Sequence, residues 1–120
     1  MALTALPVRA HLRGPDELWE HSRNALGIAR LLHHENRPEA LVATACRLSV
    51  ETACRAALEQ LGVDYDGDLE MALARVGAPR DVWELQQDGP PGRRVAGAER
   101  AVAWFAAYLR HVAPARTWSF

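Results

Sequence analysis

The sequence has no lysine, one isoleucine and two cysteines among its 120 residues. All 14 of its Lys/Arg cations are therefore arginines, which excludes Schiff-base chemistry and a lysine general base. No run of about 18 apolar residues is present, so we expect no membrane-spanning segment. The first 14 residues contain Arg9 and Arg13 and no continuous apolar stretch, unlike a secretory signal. We expect a cytoplasmic protein.

The two cysteines do not indicate a disulfide or a metal site. Cys46 and Cys54 are eight residues apart on one predicted helix, which is roughly 12 Å of axial rise and too far for a disulfide. The chain has no CxxC motif and no clustered histidines, so zinc is not predicted. We interpret both residues as small buried thiols in a helix-packing face.

The composition is that of one globular, helical domain. Apolar residues make up 49% of the chain and charged residues 24%, while the formal net charge is −1. No overall field therefore draws the chain toward nucleic acid or an anionic membrane. Alanine, with 22 residues, and leucine, with 15, are strong helix formers, and β-branched residues are few.

Apolar periodicity predicts an all-α fold, an antiparallel up-and-down bundle of three long and two short helices. The long helices are predicted from Pro15 to about His34, from about Pro38 to Leu61, and from about Arg93 to Val112. One short helix is predicted after Asp68 and another after Ala78, each closed by turn residues. The bundle would occupy residues 15–113, between an N-terminal arm (1–14) and a C-terminal tail (114–120).

The second long helix has a predicted inner side of mostly small residues and a charged outer side. The inner side comprises Leu41, Val42, Ala45, Cys46, Ser49, Ala53, Ala57 and Leu61. The outer side carries Arg47, Glu51, Arg55 and Glu59 at intervals of four. Such spacing predicts a ladder of ion pairs, each stabilising the helix by about 0.2–0.5 kcal/mol.

The last helix combines an unusual start with a wide apolar arc. Asp88–Gly92 is rich in glycine and proline and is predicted to form a non-helical loop. Arg93, Arg94 and Arg100 follow it, where cations oppose the positive end of the helix dipole. This placement indicates an anionic partner such as phosphate, with ordinary surface arginines as the alternative. Two adjacent apolar stripes predict a helix that is central in the bundle or part of a subunit interface.

No arrangement of residues predicts an enzyme, a cofactor or a metal. His33 and His34 end the first long helix and His111 lies near the end of the last one, where a cation complements the helix dipole. No paired carboxylates with metal-ligand spacing occur on an inward face. We therefore predict no catalytic residues.

The stretch from Ala43 to Gly62, ATACRLSVETACRAALEQLG, resembles the helix A-x-x-x-x-Q-A-x-E-K-A-x-K-A-L-L-x-x-x-G of the HEPN domain family. Glu51 stands at the family's glutamate and Arg55 close to its basic residue. Residues 29–40 resemble the preceding A-x-x-L-L segment. Asp68-Leu69 matches the family's H-D-L, with Gly67 in place of the histidine. The resemblance covers roughly residues 17–112.

The resemblance implies a helical bundle that commonly forms homodimers through its long helices. Some HEPN proteins are metal-independent endoribonucleases with an arginine followed, after four to six residues, by a histidine. Others lack that pair and act as partners of a small nucleotidyltransferase, often in toxin–antitoxin pairs. No arginine of this chain has a histidine at that spacing. The resemblance therefore favours the second form.

Three hypotheses follow from the sequence. The first is a non-catalytic, homodimeric HEPN-like module that binds a nucleotidyltransferase partner or a nucleotide. Arg93, Arg94 and Arg100 would contact phosphate, and Glu51 with Arg55 would form a polar patch near the dimer seam. The second is a metal-independent HEPN endoribonuclease that acts on RNA with a degenerate site. The third is a helical interaction protein with no ligand.

Overall fold

The computed structural model describes residues 14–79 and 89–118. These residues form helices and no strand, which confirms the predicted all-α class for the described ranges. The helices are α1 (Pro15–His34), α2 (Glu39–Leu61), α3 (Leu69–Arg75) and α4 (Pro91–Val112). The second predicted short helix falls largely on residues 80–88, outside the described residues, so the five-helix bundle stays a prediction.

Local capping signals set most of the helix boundaries. Pro15 opens α1 after the extended Gly14, since proline fits a first turn whose N–H groups have no helical partner. Asp68 caps α3, because its carboxylate accepts a hydrogen bond from the Met71 amide at 3.1 Å. Gly62 ends α2 with φ of 75°, a left-handed conformation that glycine adopts without steric cost.

The central element is α2, which packs against α1, α3 and α4. Eleven of its 23 residues are buried, among them Val50 and Ala53 with no exposed surface. The wide apolar arc of α4 predicted that helix at the centre of the bundle or at a subunit interface, whereas among the described helices it is α2 that contacts the other three. Small side chains explain the difference, because the alanines and cysteines of α2 let neighbouring backbones approach on most of its circumference.

The predicted inner side of α2 was wrong at its first and last residues. Leu41 is 50% exposed and Leu61 is 45% exposed, although the pattern placed both inside. Leu41 lies about 100° around the helix from the fully buried Val42. The packed arc of α2 therefore turns away from Leu41, and Leu61 lies in the last turn, where the helix ends.

The last helix begins two residues earlier than predicted. Pro91 and Gly92 belong to its first turn, so the prediction that Asp88–Gly92 is entirely non-helical was wrong at its end. A proline in the first turn needs no hydrogen-bond partner for its nitrogen, and its fixed φ suits a helix.

The residues after α4 fold back onto the start of α1. Trp118 is 2% exposed, and its ring meets the Trp19 ring edge-on at 6.3 Å between centroids. The Trp118 indole donates to the Ala113 carbonyl at 3.0 Å, and the Arg110 guanidinium donates to the Trp118 carbonyl at 3.0 Å. Trp118 of the predicted C-terminal tail is thus part of the core, whereas residues 114–117 are exposed.

Buried polar groups tie α1 to α2. The Ser22 hydroxyl donates to the Ser49 carbonyl at 2.6 Å, and the Ser49 hydroxyl donates to the Cys46 carbonyl at 2.6 Å. Both hydroxyls are therefore satisfied inside the core. Cys46 and Cys54 are free and buried, as predicted. None of the described helices has the length and apolar character needed to cross a bilayer.

Candidate functional site

Arg93 and Arg94 lie in the first turn of α4, on different sides of the helix. The Arg94 side chain donates from Nε to the Gly89 carbonyl at 3.1 Å and is partly buried, whereas Arg93 is exposed. Gly89 has φ of 106°, and a Cβ at this position would lie 2.8 Å from Cδ of Arg93. Glycine is thus required where the chain turns beneath the two arginines.

His33 of α1 reaches the start of α4. Its Nε2 lies 3.2 Å from the position that a Cβ on Gly92 would occupy, so the absence of a side chain there lets the imidazole approach. The sequence predicted only that His33 complements the dipole at the end of its own helix. No local signal pairs residues 33 and 92, because they are far apart in the sequence and only the packing of α1 against α4 brings them together.

An ion pair between α1 and α4 borders the same region. Arg30 and Glu99 are 2.6 Å apart, with side chains 51% and 40% exposed. Such exposed pairs contribute about 0–1 kcal/mol. Burial raises the pKa of Cys46 to about 11, while Arg94 lowers it and Glu99 raises it. The electrostatic effects of Arg94 and Glu99 on this thiol indicate that the start of α4 lies near the Cys46 turn of α2.

Arg100 lies farther along α4. It is seven residues after Arg93, so it shares that side of the helix at a distance of about 10 Å along the axis. No acidic residue occupies the first turn of α4. Arg93, Arg94 and Arg100, with His33, are called the cationic end below.

Glu51 and Arg55 flank a tyrosine from the loop after α2. The Tyr65 hydroxyl donates to Oε2 of Glu51 at 2.5 Å, and the Arg55 guanidinium lies 5.8 Å from the centre of the Tyr65 ring. Burial, and then the hydrogen bond to Glu51, raise the pKa of Tyr65 well above its ordinary value. Tyr65 therefore stays a protonated donor at neutral pH.

The predicted ladder of ion pairs on α2 is absent from the described residues. No ion pair within 4 Å joins Arg47, Glu51, Arg55 and Glu59. Tyr65 accounts for the difference, since its hydroxyl is hydrogen-bonded to the Glu51 carboxylate and its ring face lies against the Arg55 guanidinium. A tyrosine from a loop cannot be foreseen from spacing within the helix.

Two adjoining clefts share Leu18 and Arg55. The first, between α1 and α2, has a volume of about 360 Å³ and an apolar wall formed by Leu18, Ala25, Ile28 and Leu48. The second has a volume of about 440 Å³ and is lined by polar groups that include Glu59 and Tyr65. Arg55 thus marks the change from an apolar to a polar surface.

The five predicted site residues fall into two separate groups. Arg94 influences Cys46, and Arg55 lies nine residues after Cys46 on α2, which is half a turn away around the helix and about 13 Å along it. Cys46 and the Arg55 clefts are therefore on opposite sides of α2. No group of three or more metal-ligating side chains occurs in residues 14–79 and 89–118.

Comparison with known proteins finds no matching family model, no similar curated protein and no similar solved structure. The HEPN resemblance therefore rests on the sequence pattern.

Proposed function

We propose that this protein is a non-catalytic, HEPN-like binding module that holds a nucleotide-like anion at its cationic end. The observation that supports this proposal most directly is the approach of His33 to Gly92, which adds an imidazole from α1 to the arginines at the start of α4. In this proposal the module is cytoplasmic, forms a homodimer and has a small nucleotidyltransferase as its partner. The finer architecture, with a second short helix after Ala78, belongs to the same proposal.

The charge arrangement supports an anionic ligand. The N-terminus of α4 carries the positive end of the helix dipole, and no acidic side chain in the first turn neutralises it. Arg93 and Arg94 add two further positive charges there. A phosphate bound at the positive helix end would interact favourably with the helix dipole and with the exposed Arg93.

The geometry supports an extended ligand. Arg94 is held by the Gly89 carbonyl, whereas Arg93 and Arg100 share the other side of α4 about 10 Å apart. A ligand with negative charges spread along a line fits this spacing better than a single phosphate does. A nucleoside triphosphate, or the backbone of an RNA strand, presents several negative charges along a line.

Glu51 and Arg55 have a different role in this proposal. They lie on the far side of α2 from the cationic end, where Tyr65 orders both side chains. The hydrogen bond and the aromatic contact give a fixed polar patch beside the α1–α2 cleft. We assign this patch to the rim of a protein interface rather than to phosphate binding.

Titration calorimetry with ATP and with inorganic triphosphate tests the anion site. We expect both to bind, and Arg93→Gln/Arg94→Gln to lower the affinity roughly tenfold to a hundredfold, as expected for the loss of charge-assisted hydrogen bonds. The control is Arg75→Gln, which removes an exposed arginine from the end of α3. No binding by the unmodified protein, or equal losses in both variants, would refute the site.

The partner is tested by genomic context and by co-purification. We expect a nucleotidyltransferase reading frame beside this gene and a stable complex between the two products. If the two proteins are co-expressed and elute separately, the partner assignment is wrong, although the anion site is unaffected.

A second candidate function is favoured by the same histidine. The sequence lacks the arginine–histidine spacing of HEPN ribonucleases, but His33 and Arg93 come from different helices to one end of the molecule. A metal-independent ribonuclease needs a histidine as acid or base and an arginine to stabilise the phosphate.

Incubation of the pure protein with RNA in EDTA distinguishes the two functions. The binding module leaves RNA intact. Cleavage that is lost in His33→Ala, retained in His111→Ala and absent with DNA of the same sequence would replace the first proposal with the second. If the protein neither cleaves RNA nor binds an anion, the remaining hypothesis is a helical interaction protein without a ligand.

A further inference from the structure

The α1–α2 cleft is a groove with an apolar floor and apolar walls. Leu18, Ala25 and Thr52 form its floor and are buried. Ile28 from α1 and Leu48 from α2 form its walls, with 53% and 47% exposure. Because Ala25 and Thr52 are small, the two helices leave a volume of about 360 Å³ between them. Clustered exposed apolar side chains mark binding surfaces, whereas single ones are ordinary.

The polar groups of this cleft leave one permanent charge at one end. The Thr52 hydroxyl donates to the Leu48 carbonyl at 2.7 Å, so the floor has no unsatisfied hydroxyl. Arg55 lies where the α1–α2 cleft adjoins the second cleft, which is called the polar cleft below. No acidic side chain lines the α1–α2 cleft among the described residues. A ligand that is apolar along its length and negative at one end is complementary to this arrangement.

Arg55 is positioned for such a ligand. Its guanidinium lies 5.8 Å from the centre of the Tyr65 ring, and the Tyr65 hydroxyl is bonded to Glu51. Within residues 14–79 and 89–118, Arg55 forms no ion pair within 4 Å. The N–H donors of a guanidinium form a planar fork, from which a carboxylate accepts two parallel hydrogen bonds.

We propose that the α1–α2 cleft binds a small monocarboxylate with an apolar chain. The carboxylate accepts hydrogen bonds from Arg55, and the chain lies between Ile28 and Leu48. This inference goes beyond the proposed function, because it adds a second ligand, of different chemistry, away from the cationic end. Arg55 also belongs to the patch assigned to the rim of a protein interface, so the ligand lies beside that rim.

The polar cleft restricts the ligand to a single negative charge. Glu59 and Asp64 line it on the far side of Arg55 from the apolar walls. A phosphate, or a second carboxylate that extended past Arg55, would meet these two acidic side chains. Like charges at short distance repel, so a nucleotide or a dicarboxylate is disfavoured here.

The dimensions of the cleft indicate a chain of about eight carbons. Arg55 follows Leu48 by seven residues, which is about 10 Å along the axis of α2. Octanoate has seven C–C bonds of about 1.5 Å, and its extended zigzag spans about 9 Å. Ligand pockets have volumes of about 300–1,000 Å³, and the α1–α2 cleft is at the lower end of that range.

Titration calorimetry with octanoate, at concentrations below micelle formation, tests the carboxylate contact. We expect octanoate to bind at least roughly tenfold more tightly than 1-octylamine, which has the same chain and the opposite charge. Arg55→Gln should lower the octanoate affinity roughly tenfold or more. The matched control is Arg47→Gln, because Arg47 is an exposed arginine of the same helix that lines neither cleft.

A second pair of variants tests the placement of the chain. Leu48→Asn removes an apolar wall and should weaken octanoate binding roughly threefold to tenfold. Leu61→Asn is the control, since Leu61 has a similar exposure of 45% on the same helix and lies outside both clefts. Circular dichroism checks that all variants are equally helical.

The inference is overturned if octanoate does not bind, if 1-octylamine binds equally well, or if either control loses as much affinity as its partner. ATP titration separates this site from the cationic end. Arg55→Gln should bind ATP as the unmodified chain does, and Arg93→Gln/Arg94→Gln should bind octanoate as the unmodified chain does. Loss of octanoate binding in Arg93→Gln/Arg94→Gln alone would place the carboxylate at the cationic end and refute the cleft. Each proposal can thus fail alone.

Discussion

The two ends of the α1–α4 pair are held together by different kinds of interaction. Where α1 starts and α4 ends, Trp19 and Trp118 meet edge-on and Trp118 is almost fully buried. Where α1 ends and α4 starts, the contacts include an exposed ion pair and the approach of His33 to Gly92. One end is closed by apolar packing and the other is polar and cationic.

The two ends should therefore contribute unequally to stability. Burial of a large aromatic side chain contributes several kcal/mol, whereas exposed charged contacts contribute little. The aromatic end should therefore contribute more to the stability of the α1–α4 pair than the cationic end does. In the proposed function, the charged groups of the cationic end bind a ligand.

Truncating the aromatic end should have the largest effect. Trp118→Ala removes a buried ring and its contact with Trp19, so we expect the free energy of unfolding to fall by about 3–5 kcal/mol. Trp118→Phe, which keeps an aromatic ring but loses the bond to Ala113, should cost less. Chemical denaturation measures both. A loss below about 1 kcal/mol in Trp118→Ala would mean that the segment after α4 is not part of the core.

Alkaline pH should weaken the fold by a smaller amount. Burial raises the pKa of Cys46 to about 11 and of Cys54 to about 12, from an ordinary value of 9.0. Since the unfolded thiols ionise first, stability is present below about pH 9 and is lost as the pH rises toward the folded pKa values. The two thiols together should cost about 2–3 kcal/mol between about pH 8 and about pH 10.

The Cys46→Ala/Cys54→Ala variant serves as the control for that pH dependence. Its unfolding free energy should fall less between the same two pH values. An identical decline in both proteins would show that other groups are responsible. The nearby charges also differ, since Arg94 favours ionisation of Cys46 and Glu51 opposes that of Cys54. Arg94→Gln should therefore raise the pKa of Cys46 alone.

A small change at the cationic end should affect binding more clearly than stability. Gly89→Ala adds a Cβ at a residue with φ of 106° and at 2.8 Å from the Arg93 side chain. We expect a loss of about 1–2 kcal/mol in unfolding free energy from the backbone strain. ATP affinity should fall as well, because both arginines are held against this residue.

The comparison is Gly67→Ala, which introduces similar strain at φ of 95° with open space around the new Cβ. Gly67 lies before α3, away from the arginines. Equal loss of ATP affinity in the two variants would show that the effect of Gly89→Ala arises from general destabilisation. Normal affinity in Gly89→Ala would mean that the arginines need no fixed placement.

The smallest effect is expected for the ion pair between α1 and α4. A double-mutant cycle with Arg30→Ala and Glu99→Ala should give a coupling energy of about 0.2–1 kcal/mol, because both side chains are about half exposed. The coupling should diminish with added salt. A coupling above about 2 kcal/mol would show that this ion pair stabilises the fold as strongly as a core contact does.

Much of the helical architecture was predictable from local chemistry. Pro15, Asp68 and Gly62 marked the helix ends because capping depends on residues within one turn. The start of α4 was predicted two residues late, because Pro91 and Gly92 continue a loop-forming run and yet also fit the first turn of a helix. Leu41 and Leu61 were misplaced since a helical pattern shows which residues share a side but not where the neighbouring helices end.

The candidate site was only partly predictable. Arg93 and Arg94 were identified from their conflict with the helix dipole, a local property. His33 and Tyr65 were missed as partners, because each meets its site through contacts between distant segments. The half exposure of Ile28, Leu31, Leu41 and Leu48 was also not predictable from the sequence, where such residues resemble core residues.

The sequence by itself determined that the described chain is helical, where most helices begin and end, and that its thiols are buried. These properties depend on propensity, on caps and on the apolar period, all of which act over a few residues. Only the tertiary structure decided that α2 is central, that Trp118 returns to Trp19, and that His33 joins the arginines of α4. Such pairings depend on which helix faces pack together, and short-range patterns leave that choice open.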